Sequence, residues 1–290
     1  MIFLNPTTDI AFKKLFGQTK HKDILISFLN SILGREEGKK IVDVTITDPY
    51  NHPETPGSKY SIVDARCTDE QGKHYILEMQ VNAEKDYKER ALHYAALAIA
   101  RQLLEGDDFE KLEPVIFIGV LGFNLFKSPK CVSPILLLNQ ETMEHALPGL
   151  EFRFIELEKF NKTIADVNTI DNVKDKWIYL LKYASKLQTI PAPLKSTKEV
   201  AHALEVLEQG SWSMEDLEAY DRSLRAMRSQ RSQIKTAREE GLAKGLAKGL
   251  EKGRIEERAV LVKRMLQAMS EQEVAKILGL SHEEVRALKK

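Results

Sequence analysis

Two stretches decide how this chain folds: residues 60–67, Tyr60-Ser61-Ile62-Val63-Asp64-Ala65-Arg66-Cys67, and residues 74–81, His74-Tyr75-Ile76-Leu77-Glu78-Met79-Gln80-Val81. Both are rich in β-branched and aromatic residues. The polar Thr68-Asp69-Glu70-Gln71-Gly72-Lys73 between them carries glycine near its end, so the pattern predicts a hairpin of two antiparallel strands. Successive side chains of a strand point to opposite faces, so Tyr60, Ile62, Asp64 and Arg66 share one face of the first strand. His74, Ile76, Glu78 and Gln80 share one face of the second. Asp64, Glu78 and Gln80 thus interrupt otherwise apolar strands, and they converge if the hairpin sets those faces together.

Working outward, apolar residues at spacings of three and four (Ile10, Phe12, Leu15, Phe16, then Ile24, Leu25, Phe28, Leu29, Ile32, Leu33) predict two amphipathic helices, the second stopped by Gly34. Residues 41–47 alternate as a strand and end in a turn-rich segment over 48–53, with a loop to Gly57. Residues 84–104 predict a helix. Residues 114–123 form a nearly continuous apolar strand of the kind buried on both faces, and 134–138 and 152–157 add shorter strands. Helices follow at 173–187 and 200–207. Strands flanked by helices make the body an α/β fold with a central mixed sheet.

Composition narrows the function classes. With 290 residues, 43% hydrophobic and 30% charged, the chain is of ordinary globular type, which excludes collagen-like, disordered and membrane-spanning classes. No basic-then-apolar leader follows Met1, so a cytoplasmic protein is expected. Cys67 and Cys131 stand far apart, which argues against a disulfide framework or a thiolate zinc site. The balanced charge of 43 basic and 43 acidic residues hides an asymmetry. Residues 222–290 hold 17 Lys/Arg against 9 Asp/Glu, and residues 1–221 hold 26 against 34. A basic tail on an acidic body suits either a polyanion or an acidic protein surface.

Three segments are therefore expected: a body over 1–221, a basic Gly/Lys-repeat segment over 222–260, and a small helical unit over 261–290. Arg222, Arg225, Arg228, Arg231, Lys235 and Arg238 recur every three or four residues and would form one stripe of a helix. Gly-Leu-Ala-Lys then repeats from Gly241 and Gly245, continuing through Gly249 to Gly253. Four interior glycines oppose a helix by roughly 4 kcal/mol. Either this is a linker or the glycines let a second helix approach closely beside Leu242, Leu246 and Leu250, which leads us to expect a homodimer. At the end, Ser270 with Glu273 and Ser281 with Glu284 fit capping boxes around a helix-turn-helix-like pair. His282, Glu283 and Glu284 would lead its second helix, a poor choice for meeting phosphates, so assembly is as good a role as DNA reading.

The chemistry centres on the hairpin. Two carboxylates on an apolar face repel each other and resist desolvation, and a divalent cation between them removes both costs. Oxygen ligands from Asp64, Glu78 and a backbone carbonyl suit Mg²⁺ or Mn²⁺, which activate water and neutralise a phosphodiester under attack. An exposed sheet face, with Asp64 paired to Arg66 or Lys59 and Glu78 to a neighbouring base, fits the spacing as well.

Asn5-Pro6-Thr7-Thr8-Asp9-Ile10-Ala11-Phe12-Lys13-Lys14-Leu15-Phe16-Gly17, then Val63-Asp64-Ala65, Leu77-Glu78-Met79-Gln80 and Tyr87-Lys88-Glu89-Arg90-Ala91-Leu92-His93-Tyr94, run in an order that resembles a known family. They look like the Rpn branch of the PD-(D/E)XK nucleases, recombination-promoting nucleases also described as transposases, and the resemblance covers most of the chain. It implies a restriction-endonuclease-like core. It implies Asp64 as the motif aspartate and Glu78 as the second acid, both ligands of Mg²⁺, Mn²⁺ or Ca²⁺. The implied activity is a DNA endonuclease linked to recombination or mobile elements. Gln80 falls where most of the superfamily has lysine and where the branch itself has glutamine. A neutral amide can only hydrogen-bond, so more of the electrostatic load falls on the metal.

Asp9 is the candidate third acid, with helix capping as the alternative. Lys13, Lys14 and Arg90 could supply positive charge or be solvated helix charges, and Tyr94, one turn after Arg90, could share its face. Arg225 and Arg228 of the stripe are candidates for gripping phosphates. A non-catalytic DNA-binding or assembly protein on a nuclease-like scaffold is the competing function, and an RNA-directed nuclease shares the same chemistry.

Overall fold

A computed structural model describes residues 1–48, 50–51, 61–167 and 172–289. Most of the turn and loop expected over 48–57 lies outside the described residues, as do Lys59 and Tyr60. In chain order the helices and strands are α1 (Asp9–Phe16), α2 (Lys22–Leu33), β1 (Val44–Thr47), β2 (Tyr50–Asn51), β3 (Ser61–Ile62), β4 (Ala65–Asp69) and β5 (His74–Gln80). There follow α3 (Tyr87–Ala100), β6 (Val115–Leu121), β7 (Val132–Leu136), β8 (Leu150–Glu156), α4 (Val173–Tyr183), α5 (Ala192–Lys195) and α6 (Lys198–Leu207). The chain ends with α7 (Met214–Met265), α8 (Glu271–Leu278) and α9 (His282–Lys289).

The hairpin forms, with a correction to its first arm. Residues 61–69 are not one strand: β3 pairs with β2 in a two-stranded sheet of its own, and the chain bends at Asp64 before β4 pairs with β5. The turn is held by Asp69, whose Oδ1 accepts from the Gln71 and Lys73 N–H groups at 2.9 Å each, with Gly72 at φ 88°. The second Asp69 oxygen accepts from the Tyr75 hydroxyl at 2.8 Å, which ties the turn to the core.

β4 and β5 belong to a six-stranded mixed sheet in the order β1-β4-β5-β6-β8-β7. β6 runs parallel to both β5 and β8 and is buried along its whole length, as its unbroken apolar run requires. β7 closes one edge antiparallel to β8, and its Pro134 lacks the N–H that a further strand would need. One face of the sheet packs with α1, α2, α4 and α6 around Phe12, Phe16, Phe28 and Trp177; α3 covers the other around Tyr87, Phe117 and Phe154. Burying each such side chain contributes about 1.5–3 kcal/mol before entropy is counted.

Two compact units divide the chain, Met1–Arg228 and Ser229–Lys290. Within the second, Val262, Val274, Ala275 and Val285 make a small core shared by the end of α7 with α8 and α9. Ser270 and Glu273 form the capping box, and Gly279 turns the chain at φ 63° between α8 and α9. α7 is helical through all four repeat glycines, and Leu242, Leu246 and Leu250 are exposed along it.

Candidate active site

The site is built where the hairpin meets α1 and α3. The pairing of Ala65 with Leu77 and Arg66 with Ile76 carries on to set Asp64 opposite Glu78. The two residues are locked reciprocally: the Met79 N–H donates to Asp64 Oδ2 at 2.7 Å, and the Asp64 N–H donates to the Glu78 carboxylate. Asp64 therefore stands opposite Glu78 as the hairpin pairing requires, but from a bend just before β4 and not from within a strand.

Both carboxyls are shielded from water. Burial pushes the Asp64 carboxyl up, opposed by the Met79 N–H and reinforced by a hydrogen bond shared with Asp9. Burial and the neighbouring Asp64 charge likewise raise Glu78, against a downward pull from Arg90 and Lys13. Glu78 Oε2 is buried and has no hydrogen-bond partner. That is the arrangement expected of groups waiting for a cation or a proton.

Asp9 opens α1 with a 60% exposed side chain, paired to Lys13 at 2.7 Å; Lys13 in turn lies 3.8 Å from Asp64. Thr8 occupies the N-cap position without a side-chain capping bond, and Asp9 lies in the first turn, where its carboxylate suits the helix dipole. Among the described residues no group of three or more His, Cys, Asp or Glu side chains is arranged to hold a metal. What the structure offers is a pair of hard oxygen donors, one of them buried and unpartnered. This chemistry fits Mg²⁺ or Mn²⁺ with water and phosphate oxygens completing the shell.

Gln80 follows Glu78 on the same strand face. Its Nε2 donates to the Asn82 carbonyl at 3.0 Å and to Glu84 Oε1 at 3.1 Å, and its Oε1 accepts from Arg90. Arg90 also donates to Glu84 Oε2 at 2.5 Å. Arg90 is thus a member of the site and not a solvated helix charge. Tyr94, on the next turn of α3, is half-buried, and burial and Glu78 raise its hydroxyl. Tyr87 brings a fully buried ring, and its hydroxyl lacks a partner.

Asp9, Lys13, Asp64, Glu78, Gln80 and Arg90 are brought together. Lys14 is not: it pairs with Asp216 and sits 4.1 Å over the Trp212 ring. Arg225 and Arg228 lie on α7, where Arg225 Nε donates to the Asp221 carbonyl at 3.2 Å. Sequence reading missed Glu84, Tyr87 and Gly119. The only sequence signal was positional, Tyr87 and Glu84 preceding Arg90 by three and six residues, and a glycine interrupting an apolar strand.

The sequence model of a family described as PD-(D/E)XK nuclease family transposase matches residues 6–237, a span that takes in every one of these side chains. No curated protein and no solved structure matches the chain.

Proposed function

Since the chain belongs to the PD-(D/E)XK nuclease family of transposases, we propose that it is a divalent-metal-dependent DNA endonuclease acting in recombination or on mobile elements. The observation that carries this reading is the buried Asp64–Glu78 pair with the Glu78 Oε2 left unpartnered. Both acids would hold Mg²⁺ or Mn²⁺, with Ca²⁺ a compatible but less suitable ion, and Asp9 is the third acid of the site. When bound, such an ion supplies Lewis-acid stabilisation of the phosphate charge. The chain's own residues hold the rest: Asp64 is fixed by Met79, Glu78 by Asp64, and Lys13 and Arg90 offset the negative charge.

The basic stripe of α7, including Arg225 and Arg228, would grip phosphates without reading sequence. Exposed Leu242, Leu246 and Leu250 beside glycines with open space support a homodimer through helices within 222–264. Equal monomer masses by light scattering for the full chain and for a chain ending before Arg222 would sink that assembly. Among the described residues no helix is long and apolar enough to cross a membrane; we assign the protein to the cytoplasm.

Plasmid cleavage by wild type and Asp64→Ala, in Mg²⁺, Mn²⁺, Ca²⁺ or EDTA, tests the function, with circular dichroism showing both folded. Cleavage by wild type alone, lost in EDTA, is expected. If both proteins bind DNA and neither cuts under any metal, the chain is a non-catalytic binding or assembly protein. That second reading is favoured by one observation, the amide of Gln80 where a lysine usually stands.

A further inference from the structure

Gln80 keeps one open hydrogen-bonding position. An amide has two N–H donors and two carbonyl lone pairs. Both donors are engaged, one on the Asn82 carbonyl at 3.0 Å and one on Glu84 Oε1 at 3.1 Å. One lone pair accepts from Arg90 Nη2. Arg90 Nη1 meets Glu84 Oε2 at 2.5 Å, so the three side chains close a ring. The amide cannot be turned over, because its NH₂ would then face the guanidinium and its oxygen would face a carbonyl and a carboxylate. A lysine-like donor role is therefore closed to Gln80, and its second lone pair is the open position. Arg90, by contrast, keeps an Nε–H that is buried and without a partner.

We propose that Gln80 works as a hydrogen-bond acceptor for the attacking water and that Glu84 and Arg90 are positioning residues fixing it in that sense. This rests on the nuclease reading above. The chemistry is hydrolysis. The water oxygen bonds to phosphorus and the bond to the leaving oxygen breaks, while the water proton passes to solvent and the leaving oxygen takes one from solvent. Gln80 orients the water through an accepted O–H and takes no proton. Superfamily members with lysine place a cation at this position; here the guanidinium of Arg90, ten residues on, donates to the Gln80 amide and is held by Glu84.

The test uses the full chain as wild type, Arg90→Ala, Gln80→Lys and the double variant, each checked for folding by circular dichroism. In metal-free protein the side-chain amide pair of Gln80, assigned by its loss in Gln80→Lys, is expected to be dispersed in wild type and to collapse to free-amide positions in Arg90→Ala. In plasmid cleavage with Mn²⁺, each single change is expected to lower kcat on the order of tenfold to a hundredfold with little change in KM. The double variant is expected to exceed Gln80→Lys, because the new ammonium no longer faces the guanidinium. Arg90→Lys keeps the charge without the fork and should fall between wild type and Arg90→Ala. A Gln80 amide unmoved by Arg90→Ala, or a double variant equal to the product of the singles, overturns the inference while leaving a cutting wild type as a nuclease. A wild type that cuts under no metal overturns the nuclease reading and this inference with it.

Discussion

Gly119 lies directly against Tyr87: a Cβ built on Gly119 would stand 2.5 Å from the Tyr87 hydroxyl oxygen and 3.0 Å from the Phe154 ring. Gly119 is also the β6 residue in register with Glu78, so the missing side chain makes room for a phenol beside the buried acid. Gly119→Ala is expected to cost about 1–3 kcal/mol by overpacking. Tyr87→Phe should restore most of that loss, since it removes the crowded oxygen, which has no partner to lose. Urea unfolding of the two single variants and the pair measures it; simple additivity of the two changes would contradict the contact.

Both site carboxyls bind their protons more tightly in the fold than in the unfolded chain, chiefly through burial. Below the ordinary carboxylate range both states are protonated and nothing is lost. As pH rises the unfolded chain releases its protons first, so stability falls until the native carboxyls ionise near and above neutrality. Each tenfold gain in proton affinity on folding then costs about 1.4 kcal/mol. Metal-free Glu78→Gln should therefore gain melting temperature over wild type at pH 8, with the gain shrinking toward pH 4. A gain that is flat with pH would show that Glu78 is not held protonated.

The pairing of Asp64 with Glu78 was legible because the hairpin signal is local: two apolar runs, a polar turn and a period of two. The bend at Asp64 was not. It arises where β3 leaves for β2, a pairing of Ser61–Ile62 with Tyr50–Asn51 that strand alternation cannot register. Glu84 and Tyr87 escaped for a related reason. Glu84 lies in the connection from β5 to α3, which follows no helical or strand period, and Tyr87 opens α3 with a ring that carries no polar signal of its role. The sequence also could not choose between pairing and solvation for the helix charges. Lys13 and Arg90 turn out to face the carboxylates, whereas the partner of Lys14 is Asp216, 202 residues away.

That distant partner separates Lys14 from DNA binding. Its side chain is 12% exposed, ion-paired to Asp216 and stacked over Trp212. Lys14→Ala should lower stability by about 1–2 kcal/mol through the lost stacking and ion pair. It should leave DNA affinity in Ca²⁺ unchanged. Lys13→Ala should do the opposite, altering metal and DNA affinity with little effect on melting, since Lys13 is 39% exposed and lies between Asp9 and Asp64. Gel-shift titration beside thermal melting distinguishes them, and equal weakening of DNA binding by both would refute the division of labour.

The remaining expectation concerns the cation itself. An ion that binds only the folded chain stabilises it by mass action, about 2.7 kcal/mol when present at about a hundred times its dissociation constant. Mn²⁺ or Mg²⁺ should raise the melting temperature of wild type and leave Asp64→Asn and Glu78→Gln unmoved, because each removes one of the paired carboxylates. Cation and proton compete for the same raised carboxyls, so the rise should be larger at pH 8 than at pH 6. The buried Glu78 Oε2, which lacks a partner, would gain one in the loaded protein. This reverses the alkaline loss of stability described for the metal-free chain. Scanning calorimetry with and without EDTA reads both effects at once. A metal-induced rise of the same size in Asp64→Asn would place the ion elsewhere in the molecule.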